Sequence, residues 1–328
     1  MRAMTISRFG SPNVLKDVAL PDPRPAPGQV AIDVTHAAVG MVDVLFRRGD
    51  LANDPRFPSP PFVPGIGVAG TIRALGEGVT DFHVGEPVVT ISMMALGGYA
   101  TVALAEANLT VSLANTSINP AQAVAVLPNA ITAYLALTTV AHLRSGESVL
   151  VHGATGGLAS TFPAVARALG ATRILGTVGS LSKREAARSM GYDDVLPYDQ
   201  FPGALRDQIF DLIVDPVGGP ARRASLDLLA PLGRMLLVGH ASTTPEEPIR
   251  GNEIWGRSVG VLGFSVGPIL QTHPILARPA ASAMINLIEQ GALHVPIETL
   301  PLTNASEAHR RLEARDITGR IVLTTSDI

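Results

Sequence analysis

Short apolar–polar alternations run through the first third of the chain. Residues 28–34 alternate as a half-buried strand does, after Pro25 and Pro27. Residues 68–75, 87–92 and 99–104 repeat the pattern between glycine-containing turns. Short strands at such spacing predict a small barrel or sandwich. The pattern changes near residue 122. Beyond it, apolar runs of strand length at 149–152, 173–178, 195–198, 210–214, 235–238 and 259–264 are interleaved with stretches of helical spacing such as 160–169 and 183–190. Strands alternating with helices predict a parallel, doubly wound sheet. Helices at 280–290 and 305–313 and a last strand at 319–324 complete the chain. That tail is expected to return to the first domain. The fold class is therefore α/β, a doubly wound sheet plus a mainly β domain. Residues 1–122 and 272–328 are assigned to the β-rich domain and 123–271 to the sheet domain.

The most apolar stretch, 121–141, is interrupted by Pro128 and Asn129. It reads as a bent, buried helix and not as a membrane span. Length and composition agree with two packed domains: 328 residues, 46% hydrophobic and 16% charged. The net charge is −3 and no basic face stands out, so neither nucleic acid nor an anionic membrane is expected as a partner. The chain contains no cysteine, which excludes disulfides, cysteine-ligated zinc, iron–sulfur clusters and thiol catalysis. A cytoplasmic location is compatible with that, and no targeting pattern is read in residues 1–5.

The strongest local signal is the run from Val149 to Ala159, VLVHGATGGLA, placed between a predicted strand and a predicted helix. Small residues there allow a sharp turn, close backbone approach to a pyrophosphate and tight strand–helix packing. The spacing is Ala154-x-Gly156-x-x-Ala159, so alanine stands at two of the three glycine positions. A glycine-rich turn with no ligand is the alternative. The next strand ends at Gly179-Ser180-Leu181-Ser182-Lys183-Arg184. An NAD site places a carboxylate there for the ribose hydroxyls. Two hydroxyls and two cations stand in its place, which suits a 2′-phosphate and points to NADPH. Ser180 or Ser182 can equally cap a helix. The turns holding Val217, Gly239 and Phe264 follow later strands on the edge where such sheets bind ligands.

With these motifs the chain resembles the medium-chain dehydrogenase/reductase superfamily, in its zinc-independent quinone oxidoreductase and enoyl reductase branch. The resemblance runs nearly end to end. It takes in Leu20 to Gly28, Pro64-Gly65, Ala69-Gly70, Gly97 to Ala100, Thr132-Ala133-Tyr134, the glycine turn, Asp215 to Gly219 and Gly319 to Leu323. It implies a partly closed, GroES-like catalytic barrel, a Rossmann NADPH-binding domain and a homodimer paired through the Rossmann sheet edge. Ala154, Thr155, Gly156, Gly157 and Leu158 would then cradle the pyrophosphate. Lys183, Tyr198 and Arg315 fall where bacterial members hold the 2′-phosphate, and Thr132 falls near the nicotinamide. The zinc-dependent branch needs a cysteine where this chain has Gly40 and a histidine where it has Ile66, so no metal is expected.

The chain departs from the family beside the expected hydride site. Gly40 replaces a frequent asparagine, Leu45 a frequent tyrosine and Gly67 a frequent acid. The family loop at 37–49 thereby becomes mainly apolar. Gly40, Met41, Leu45 and Met93, with Met94 beside it, are the substrate-pocket candidates, each of which can also be plain core. Asp43, Tyr99, Thr132 and His240 are the candidate proton donors. Three readings stay open. One is an NADPH-dependent reductase of a small hydrophobic quinone or α,β-unsaturated carbonyl. The second is a biosynthetic enoyl or ketone reductase with a bulky substrate, and the third a non-catalytic NADPH-binding sensor or scaffold.

Overall fold

A computed structural model of the chain describes all residues except Arg56, Phe57, Met94, Ala95, Thr243, Glu246, Asp327 and Ile328. It divides into two compact units. The first comprises Met1–Ile131, Gly267–Gln290 and Pro296–Ile328, and the second Thr132–Val266 with Gly291–Val295. The sequence pattern put the first division near 122, but that point lies inside one helix, α2 (Pro120–Leu135).

In the first unit, β1 (Arg2–Ile6) pairs with β2 (Leu15–Ala19). The long strand β3 (Gln29–Ala38) follows, then helix α1 (Met41–Arg48) and strands β4 (Val68–Leu75), β5 (Pro87–Thr90), β6 (Val102–Glu106) and β7 (Thr110–Ser112). β3 is the hub and pairs antiparallel with both β4 and β6. Its inward positions Val30, Ile32 and Val34 are buried, as the alternation requires. The strand expected at 99–104 is observed as β6, which begins three residues later and ends two later. Residues 37–49, expected as a loop, form the end of β3 and then α1. That helix stops at Gly49, whose φ of +87° suits glycine and whose added Cβ would come within 2.8 Å of the Phe9 ring.

α2 runs through Pro128 and continues as a π-helical segment, Ala136–Val140. It is mainly apolar and two-thirds buried over its most hydrophobic stretch (67%). Burial of this kind holds a helix together across the hydrogen bond that proline removes.

The second unit is a six-stranded parallel sheet. Its strands are β8 (Ser148–Val151), β9 (Arg173–Val178), β10 (Asp194–Pro197), β11 (Phe210–Asp215), β12 (Leu229–Leu237) and β13 (Gly260–Gly263). Their order is β10-β9-β8-β11-β12-β13, so the order reverses beside β8. Val149, Leu150 and Val151 are fully buried, the continuous apolar run of a strand covered on both faces. Connecting helices include α3 (Phe162–Ala168), α4 (Arg184–Ser189), α5 (Pro220–Ser225) and α6 (Gly251–Arg257).

The tail then adds α7 (Val266–Thr272), α8 (Ala277–Glu289), β14 (Ile297–Pro301), α9 (Ala305–Glu313) and β15 (Arg320–Thr324). β15 pairs with β3, so the chain end completes the first sheet as expected.

Candidate functional site

The glycine-rich turn leaves the buried end of β8. Gly153 takes a φ of +69°, and an added Cβ would meet Val217 Cγ2 at 3.1 Å. The turn is pinned to β9: Thr177 Oγ1 accepts from the Gly153 N–H (3.2 Å) and the Thr177 carbonyl from the Ala154 N–H (2.8 Å). Gly156 closes on the Gly153 carbonyl at 2.7 Å, and a Cβ on Gly156 would come within 3.1 Å of that oxygen. The alanine at 154 has a structural counterpart in β9. A Cβ on Gly176 would lie 2.6 Å from that of Ala154, so the small residue needed for close packing stands on the neighbouring strand. The helix begins later than its spacing predicts, with a 3-10 turn at Ala159–Thr161 before α3.

His152 supports the turn from beneath. Its ring is fully buried, with Nδ1 3.0 Å from Thr177 Oγ1 and Nε2 2.8 Å from Ser225 Oγ. Burial pushes its pKa down to about 4, so it is neutral at pH 7. Tyr198 stacks on it at 6.0 Å between ring centroids. The Tyr198 hydroxyl stands 3.9 Å from where a Gly153 Cβ would be.

The remaining candidates of this unit follow the carboxyl ends of its strands. Ser180 and Lys183 follow β9, Tyr198 follows β10 and Val217 follows β11. Gly239 and His240, both exposed, follow β12, and the half-buried Phe264 follows β13. Ser180 is extended and accepts from the Ser182 N–H at 3.3 Å, so it caps the 3-10 turn that ends at Lys183. Thr132 lies in α2 and is buried. Arg315 belongs to the other unit, exposed just after α9 with a φ of +57°.

The first-unit candidates gather around α1. Asp43 is fully buried. Its Oδ2 accepts from the Gly40 N–H (2.8 Å), capping the helix, and its Oδ1 from the Gly65 N–H (3.1 Å). Burial pushes its pKa up to about 6 against those bonds and the nearby Arg320 charge. Tyr99 is fully buried too, its hydroxyl 3.1 Å from His309 Nε2, and burial raises its pKa well above the usual tyrosine value. Both stand inside the core of their own unit. Met93 is likewise core, whereas Gly40, Met41 and Leu45 are half-buried. Met94 lies outside the described residues.

Sequence reasoning missed His152, His309, Arg47 and Arg222. Arg47 is fully buried, with Nη2 2.5 Å from Glu313 Oε1. One signal was present: Asp43 and Arg47 on α1, and His309 and Glu313 on α9, are each spaced i, i+4.

Two family models match the chain: an alcohol dehydrogenase GroES-like domain over residues 26–115 and a zinc-binding dehydrogenase domain over residues 190–323. A quinone oxidoreductase of Lama guanicoe is 36% identical, over 98% of this chain and 97% of its own length. The chain belongs to the quinone oxidoreductase branch of the medium-chain dehydrogenases/reductases. Escherichia coli quinone oxidoreductase, solved in complex with NADPH, superposes on this family member with a TM-score of 0.90 at 26% identity, covering 99% of this chain and 100% of the other. A mycocerosic acid synthase-like polyketide synthase of Mycobacterium tuberculosis is 32% identical over 91% of the chain, which spans only 14% of that protein's length.

Proposed function

We propose that this chain is an NADPH-dependent, zinc-independent reductase of a hydrophobic quinone or α,β-unsaturated carbonyl. The observation that carries the reading is the close-packed turn at Gly153, with Ser180 and Lys183, and no carboxylate, in the segment after β9. The left-handed glycine, the space that a Cβ on Gly156 would fill and the neighbouring Tyr198 hydroxyl suit a dinucleotide phosphate. NADPH bound to the E. coli relative supports the same cofactor here.

Bound NADPH supplies the hydride that reduces the electron-poor carbon of the acceptor. The residues of the chain do the rest. The turn from Gly153 to Leu158 holds pyrophosphate. Ser180, Lys183 and Tyr198 read the 2′-phosphate, and Lys183 supplies a charge-assisted contact. Gly40, Met41 and Leu45 present a mainly apolar surface to the acceptor. The product anion takes its proton from solvent or a weak donor. Of the candidates, His240 is exposed, whereas Asp43 and Tyr99 are buried and engaged with other groups. Gly40 and Ile66 offer no ligand atom to zinc. A homodimer would pair through β13, which ends the sheet and bears half-buried Val261 and Leu262, with exposed Trp255 (82%) on the preceding helix.

A second reading is an enoyl reductase acting on a conjugated acyl chain. Similarity over 91% of the chain to a polyketide synthase favours it, since chain-building chemistry has use for such a reduction.

The deciding experiment follows NADPH absorbance with simple quinones, small enones and bulky enones or thioesters, with NADH in parallel. Turnover of simple quinones supports the first reading, and turnover confined to bulky conjugated acyl substrates supports the second. NADPH binding without turnover on any acceptor would leave a non-catalytic binding protein.

A further inference from the structure

Asp215 ends β11 and is fully buried. Its Oδ1 accepts from the backbone N–H groups of Val217 and Gly218, both at 2.8 Å, which fixes the turn after the strand. Its Oδ2 accepts from Arg222 Nε at 2.6 Å. Arg222, on α5, is itself 8% exposed and donates Nη2 to the Gly239 carbonyl at 2.7 Å. Gly239 belongs to the next turn along the sheet edge, after β12. One guanidinium therefore joins the carboxylate that shapes one turn to the backbone of the other.

The two turns interlock elsewhere as well. The Val238 N–H donates to the Asp215 carbonyl (3.0 Å), Ala241 to Pro216 (3.2 Å) and Ser242 to Val217 (2.7 Å). A Cβ on Gly239 would come within 2.9 Å of the Pro216 oxygen. The planar fork of arginine suits this bridging, and lysine, a single point donor, cannot reproduce it.

Position in the sheet says which part of a ligand this clamp serves. The strand order reverses beside β8, where a dinucleotide crosses such a sheet. Ser180 and Lys183, suited to the 2′-phosphate, follow β9 on one side of that point. The clamped turns follow β11 and β12 on the other. We propose that the Asp215–Arg222 pair is a positioning device that sets the spacing of these two turns for the nicotinamide half of the cofactor. The proposal rests on the NADPH reading above.

The experiment measures the affinity of the full chain for NADPH and for adenosine 2′,5′-bisphosphate, which carries only the adenosine half, by titration calorimetry. The variants are Arg222→Lys, which keeps the charge against Asp215, and Arg222→Met. The loss of a charge-assisted hydrogen bond is expected to weaken NADPH by about tenfold or more and to leave the bisphosphate within about twofold. Equal weakening of both ligands, or no change in either, overturns the proposal. Arg222→Lys keeps the test alive should Arg222→Met fail to fold. If the unaltered chain binds neither ligand, the NADPH reading itself fails and takes this proposal with it.

Discussion

The Tyr99 hydroxyl and His309 Nε2 meet 3.1 Å apart across 210 residues of chain. The tyrosine precedes β6 and the histidine stands on the buried face of α9, so the bond ties the C-terminal helix into the sheet of the first unit. His309 must be neutral to sit there, and burial together with the Arg47 charge pushes its pKa down to about 3.

Stability should accordingly fall on acidification. His309 and His152 have folded pKa values depressed to about 3 and about 4, against about 6.5 in an unfolded chain. Each contributes stability that is full above about pH 6.5 and is lost as pH falls toward the folded value, at about 1.4 kcal/mol per pH unit between the two. Asp43 acts in the opposite sense. Its folded pKa is raised to about 6, so its contribution is full below about pH 4 and is lost as pH rises through the folded value. Two groups outweigh one, and the thermal midpoint should drop between pH 7 and pH 5. His309→Gln should flatten that profile. An equally steep drop in the variant would show that His309 is not its source.

Arg47 and Glu313 form a lopsided pair, the first fully buried and the second 28% exposed. Glu313→Ala leaves a buried cation without its carboxylate and should cost about 1–3 kcal/mol, less than a fully buried pair because solvent reaches the glutamate side. Arg47→Met combined with Glu313→Ala should recover most of that loss. Denaturant unfolding of the two variants checks the order, and a double variant weaker than the single one would contradict it.

Gly176 and Ala154 are expected to behave as a compensating pair. Gly176→Ala puts its new Cβ 2.6 Å from that of Ala154 and 3.0 Å from a second neighbour, Tyr192 Cδ1. The crowding should displace the glycine-rich turn and destabilise the chain by about 1–3 kcal/mol. Adding Ala154→Gly removes the closest contact, so NADPH affinity and unfolding midpoint should both recover in part. Calorimetry on the three variants reads this directly, and additive losses would mean that the two positions do not share a contact.

Lys183→Ala should reduce discrimination between NADPH and NADH by about tenfold or more if the ammonium holds the 2′-phosphate, the usual worth of a charge-assisted hydrogen bond. The ratio of kcat/KM values for the two cofactors measures it. An unchanged ratio would assign Lys183 to the helix end alone.

Much of the fold was legible because it is written in local periodicity. Strands β4 and β9 and helix α9 begin and end where their patterns predict, since apolar alternation and helical spacing record directly which face is buried. The signals for β1, β2 and α1 were fainter. The paired strands β1 and β2 are short, and α1 is introduced by Gly40, a residue without a capping side chain.

Local pattern therefore accounts for the division into a β-rich part and a doubly wound part, the glycine turn after β8 and the lack of an acid directly after β9. All three depend on neighbouring residues and their backbone freedom. Only the folded chain brings the buried polar groups to their partners: Tyr99 to His309, Arg47 to Glu313, Asp215 to Arg222 and through it to Gly239. Such groups are tolerated in a core only where distant segments bring a partner within hydrogen-bond reach. Local pattern marks a position as buried, but long-range packing supplies the partner.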